Sequence, residues 1–233
     1  MATKEKTEKK GVEEKSSEIK FSNFQIIAMI AVGLLLVLVV YNSSRIVNLP
    51  NSGVNGAAVS ISKSASKIIP AGIPKIYGKE LGISFDDVSA ASPQKADSTI
   101  KVLGNLDNTI TLEGDDLQRY INVGLQISCE YCCGAESIIF KNGQAACGCA
   151  HSYAMRGLAK YLIKNHASEY SDDEILEELG KWKVLFFPDI HIQKAAVLES
   201  QGIELNYINL ASNKYRGVEK GATASGGGMV GGC

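Results

Sequence analysis

Five of the six cysteines fall between positions 129 and 149, as Cys129, Cys132, Cys133, Cys147 and Cys149, and this clustering limits the local fold more than any other feature. Cys129 and Cys132 form a Cys-x-x-Cys loop, in which two thiolates reach one ion. Cys147 and Cys149 form a Cys-x-Cys pair whose side chains share one face of an extended chain, because strand periodicity is two. Between the pairs, Asn142-Gly143 supplies the two positive φ angles of a tight turn, so Ile138–Lys141 and Gln144–Cys147 are expected to form a short hairpin. That hairpin folds the second pair back towards the first. Four thiolates, from Cys129, Cys132, Cys147 and Cys149, then close a tetrahedral site for Zn²⁺. Soft donors equally suit Cu(I), and Cys133 and His151 remain as ligands for a second ion or an exchangeable site. Cys233 ends a glycine-rich arm that also carries Met229, and this arm can fold over the cluster to offer another soft ligand. His166 stands about 22 Å from His151 along a straight helix, too far to share an ion.

Two other readings fit the same cysteines. Six cysteines permit 15 disulfide pairings, giving a permanently bridged structural protein. Alternatively Cys129 and Cys132 shuttle disulfides, although no thioredoxin-like βαβ pattern surrounds them. The block from Ser128 to Ser137, followed by Ala146-Cys-Gly-Cys-Ala-His-Ser, resembles the extracytoplasmic PCYCGC-motif proteins, which pair a Cys-x-Cys-Gly-Cys cluster with a nearby Gly-His-Ser and a helix. The likeness covers residues 128–166, and Cys147, Gly148, Cys149, His151 and Ser152 match position by position. Ala-Ala stands where that family has Pro-Cys-Tyr, and no lipoprotein box is present. The resemblance implies a cysteine-rich, surface-exposed, metal-binding domain. The whole chain is also similar to archaeal-type membrane-anchored cysteine-rich proteins.

Phe24–Tyr41 is an uncharged apolar run that spans about 27 Å as a helix, close to one bilayer core. Six lysines precede it, and only Arg45 stands in the 20 residues after it, so the N-terminus is expected in the cytoplasm. The expected layout is a charged cytoplasmic tail over 1–23, a transmembrane signal-anchor helix over 24–41, and a Ser/Ala/Gly-rich linker over 42–98. A cysteine-rich domain over 99–215 and a flexible tail over 216–233 complete it. Partners are then the lipid bilayer and a protein at the membrane surface. With 24 basic and 25 acidic residues the chain has no charge excess to bind nucleic acid.

The fold class expected for the domain is α+β, with three to four helices and short hairpins. Runs rich in Ile, Val, Leu and Thr over Thr99–Leu112 read as a hairpin. Asp115–Ser128 fits both periods and is taken as a helix. Ser152–Asn165, Ser171–Phe186 and Asp189–Gln201 read as helices, the second with a capping box at Ser171 and Glu174. Ile203–Leu210 reads as a short strand. Motifs of conventional hydrolases, nucleotide-binding enzymes and zinc proteases are absent, which points away from an enzyme. The expected function is soft-metal binding, for sequestration, delivery or the stabilisation of an interaction module.

Overall fold

The computed structural model describes residues 32–33, 67–220 and 228–231. The chain divides into two compact units, Met1–Gly53 and Val54–Cys233. In the first, Val32 and Gly33 are helical and exposed, and the rest of the 24–41 run lies outside the described residues. Among the described residues no helix is long and apolar enough to cross a membrane. The longest, Pro93–Thr109, has 17 residues, short of the roughly 20 that a span requires, and it carries Lys95, Asp97, Lys101 and Asp107. The expectation of a single-pass membrane protein with an extracytoplasmic domain is corrected accordingly.

The second unit is built from helices: α1 (Gly78–Leu81), α2 (Pro93–Thr109), α3 (Gly114–Gly124), α4 (Ala150–Asn165), α5 (Asp172–Phe186), α6 (Pro188–Ser200) and α7 (Tyr207–Ala211). Short 3₁₀ turns lie at Phe85–Asp87 and Asn213–Tyr215. The described residues contain no strand, only isolated bridges joining Ile127 to Ser212 and Ile139 to Ala145, so the α+β expectation gives way to a helical fold. Thr99–Leu112 shows why. Its β-rich composition is overridden by Ala96, Ile100 and Leu103, which recur at helical spacing and are buried together. Pro93 starts that helix in its first turn, where a missing N–H is tolerated. In the same way Asn206 caps α7 by accepting from the Asn209 amide, in place of the expected strand. The chain does turn here, but around Lys141-Asn142, with Gly143 following at φ 80° and its amide donating to the Phe140 carbonyl at 2.9 Å, a three-residue loop in place of the expected Asn142-Gly143 pair. Pairing beyond it stops at one bridge.

Helix α4 packs against α2, α3 and α5 and is the axis of the unit. Its approach to α2 depends on Gly157, where a Cβ would overlap the Leu103 carbonyl oxygen and stand 2.9 Å from the Asp107 nitrogen. Helix α5 begins with the expected Ser171–Glu174 capping box and buries Leu179, Trp182 and Phe186. Within the stretch expected as a linker, Ile68, Tyr77, Ile83, Phe85 and Val88 are buried in the core. Val230 returns to this body, buried, with its amide donating to the Phe186 carbonyl at 2.9 Å.

Candidate metal centre

Cys149 is the N-cap of α4. Its backbone is extended, and its Sγ accepts the Ser152 amide hydrogen at 3.4 Å, a place usually held by a capping oxygen. The Ser152 hydroxyl lies 3.3 Å from the same sulfur. The sulfur therefore faces the first-turn amides and the positive end of the helix, which favour a thiolate. Cys129, in the segment after α3, is fully buried and sets its Sγ 3.3 Å from that of Cys149, with a hydrogen bond between them.

His151, in the first turn of α4, is also fully buried. Its ring lies against Phe186 and Phe187, with centroids 4.6 and 5.1 Å away. Its Nε2 is 2.8 Å from the Val230 carbonyl oxygen. A carbonyl only accepts, so Nε2 carries the hydrogen of this bond. The imidazole is hydrogen-bonded to Cys149 as well. One ligand atom each from Cys129, Cys149 and His151 all lie within 4.8 Å of one another, an arrangement that can hold a metal ion.

The two thiols are driven apart in acidity. The hydrogen bond shared with Cys129, then those with His151 and Ser152, outweigh burial and pull Cys149 down to about 3. Cys129 is pushed well above the usual thiol range, first by the same hydrogen bond and then by burial. Cys149 is thus the more acidic sulfur of the pair and Cys129 the less acidic. Lys183 faces Cys129 from α5; burial lowers it to about 8 although Glu130, 3.1 Å away, opposes the shift. It also donates to the Ala211 carbonyl at 2.8 Å, tying α7 to the cysteine segment.

Cys133 and Cys147 are joined in a disulfide, their Cα atoms 6.6 Å apart. This bridge takes Cys147 out of the expected four-thiolate set. Cys132 is exposed and acts electrostatically on Cys129. Cys133, Cys147 and Cys149 form a second trio of sulfurs within 4.8 Å of one another, so Cys149 belongs to both groups. Cys233 lies outside the described residues. His166 is held by Glu169 and Glu80, and His191 by the Phe187 carbonyl, both away from the sulfurs.

Three supporting residues escape a reading of the cysteines. Arg156, fully buried on α4, pairs with Asp107 at 2.7 Å and donates to the Ile138 and Cys147 carbonyls at 3.3 and 2.8 Å. It fastens the Cys147 segment to α2 and α4. A lone arginine on an otherwise apolar face, seven residues after Cys149, is the signal that could have marked it. Ser152, three residues after Cys149, had a capping spacing. Val230 carried no local signal, because its role depends on the return of the tail. Comparison of the chain with protein-family models, curated proteins and solved structures finds no match, so what is known of this centre is its own geometry.

Proposed function

We propose that the chain binds a soft metal ion, Cu(I) or Zn²⁺, through Cys129, Cys149 and His151 Nδ1, and that it sequesters or hands over that ion. The observation that carries this reading is the imidazole: Nε2 is engaged by the Val230 carbonyl, which orients Nδ1 beside two sulfurs 3.3 Å apart. A histidine ligand held by a carbonyl on its far nitrogen is the usual support of a protein metal site. Tetrahedral zinc bonds of about 2.3 Å set sulfurs about 3.7 Å apart, so loading opens the pair by a few tenths of an ångström. Three such ligands complete a site for Cu(I), whereas zinc takes a fourth, for which Cys132 is the nearest other cysteine to Cys129 in sequence that is not part of the Cys133–Cys147 bridge.

The hydrophobic core around Trp182, Phe186, Leu158 and Tyr120 is built mainly of aliphatic and aromatic side chains, with Cys129 as one member and Cys149 packed against it. The metal is therefore not needed as a staple, which favours sequestration or transfer over metal-stabilised folding. The test is anaerobic titration of the full chain with Cu(I) or Zn²⁺, reading stoichiometry and X-ray absorption. The reading predicts one ion per chain with mixed sulfur and nitrogen ligation, lost in Cys149→Ser and stripped of its nitrogen signal in His151→Gln. A stoichiometry unchanged in both variants refutes it.

A further inference from the structure

Cys149 lies between two sulfur systems: a free thiol, Cys129, at 3.3 Å, and the Cys133–Cys147 bridge, both of whose sulfurs are within 4.8 Å. Thiol–disulfide exchange needs an attacking sulfur beside a bridge, and a second thiol to resolve the product. Both are present in one cluster. The two ends differ in access. Cys133 is exposed and lines an open groove of about 890 Å³ with Leu125, Glu136, Ile139 and the exposed Phe140, whereas Cys129 is fully buried.

We propose that the chain performs an intramolecular disulfide relay, in which Cys149 opens the Cys133–Cys147 bridge and Cys129 then closes on Cys149. In the first step the Cys149 thiolate attacks Cys133 Sγ; the Cys149–Cys133 bond forms, the Cys133–Cys147 bond breaks, and Cys147 leaves as a thiolate. In the second step the Cys129 thiolate attacks Cys149 Sγ; the Cys129–Cys149 bond forms and Cys133 leaves. Cys149 attacks as a thiolate, so one proton moves: that of Cys129 passes to the Cys147 thiolate and Cys133 leaves as the thiolate, which conserves both proton and charge. One bridge is present before and after, so no outside oxidant or reductant takes part.

The relay moves a disulfide from the groove to the interior, and each isomer leaves a different thiol pair. With Cys133–Cys147 bridged, Cys129 and Cys149 are free beside His151. With Cys129–Cys149 bridged, the free pair is Cys133, at the groove, and the buried Cys147. The exchange itself does not depend on metal binding. Its coupling to metal rests on the reading above: an ion held by Cys129 and Cys149 removes both the attacking and the resolving sulfur.

The test is disulfide mapping of the full chain, started in the Cys133–Cys147 form, incubated anaerobically with EDTA near neutral pH, quenched with acid and alkylated. Digestion at Glu130 separates Cys129 from Cys132 and Cys133 for mass spectrometry. The relay predicts that Cys129–Cys149 linkages accumulate, that Cys149→Ser retains only Cys133–Cys147, and that Cys129→Ser stops at Cys149–Cys133. The last variant keeps the proposal testable should Cys149→Ser lose its fold, which circular dichroism reports. A wild-type chain that keeps Cys133–Cys147 alone at every time overturns the relay and leaves the metal reading standing on its own titration. Exchange that proceeds equally in the presence of Zn²⁺ or Cu(I) upholds the relay and counts against metal at Cys129 and Cys149.

Discussion

Replacing Arg156 by Met tests how the cysteine segment is held. The Arg156 and Asp107 side chains are 1% and 8% exposed, and their ion pair measures 2.7 Å. Removing one partner of a buried pair costs about 3–5 kcal/mol, mainly because the other charge is left uncompensated. Here Lys160, also 2.7 Å from Asp107, keeps that carboxylate paired and reduces this part. Against that, the Ile138 and Cys147 carbonyls each lose a donor, at about 1–3 kcal/mol for each buried group left unsatisfied. The contributions share one network and do not simply add. We expect Arg156→Met to lose about 3–4 kcal/mol, a large share of the 5–15 kcal/mol typical of a folded chain. Urea unfolding followed by circular dichroism should show the midpoint falling by about 2 M. Arg156→Lys keeps the charge but not the planar fork, and should fall between wild type and Met. The reductant needed to open Cys133–Cys147 should also decrease in Arg156→Met, since its anchoring carbonyl contact is gone. An Arg156→Met midpoint equal to that of the wild type would refute the reasoning.

Gly157→Ala should destabilise by about 1–3 kcal/mol, read as a lower melting temperature, because its Cβ meets backbone atoms of α2 that cannot rotate away; an unchanged melt would count against the close approach. Truncation after Gly227 removes the carbonyl that holds His151, and should weaken metal binding about 10- to 100-fold with helix content retained. Equal affinity of the two chains would exclude the tail from the site. Burial opposes protonation of His166, but hydrogen bonds to Glu169 and Glu80 outweigh it and raise its pKa. A raised folded value means that this stabilisation is complete below the unfolded value of about 6.5 and is lost as pH rises through the folded one. Unfolding between pH 6 and 8 should therefore show a decline in wild type that His166→Gln lacks, and parallel profiles would contradict it.

The helices that could be read from sequence are those whose signals are local. Ser171 with Glu174 and the apolar stripe of α5 depend on neighbours along the chain, and each appears where expected. In the stretch that forms α2, Ile, Val and Thr content points to strands while the spacing of Ala96, Ile100 and Leu103 sets a helix, and the spacing decides. In the site, the cysteine clustering and the candidacy of His151 were legible, since alternation along Cys147, Cys149 and His151 is a short-range pattern. Which sulfurs meet was not. The pairing of Cys133 with Cys147 depends on how far the 141–143 loop folds the chain back, and the orientation of His151 depends on Val230, 79 residues away. The N-terminal apolar run shows the opposite hazard. A strong one-dimensional signal there was extended to the placement of the whole chain, whose described helices carry charges along their length.

The cap of α4 also gives the sulfur a voice in the spectrum of the protein. The Ser152 amide points at Cys149 Sγ, so its proton reports directly on the electron density of that atom. Protonation, bridging and metal loading each change that density differently, and one cross-peak in a nitrogen–proton correlation map would distinguish them. A spin-active cadmium probe bound to Cys149 would go further, passing scalar coupling through the sulfur to the amide proton and identifying the ligand without any substitution.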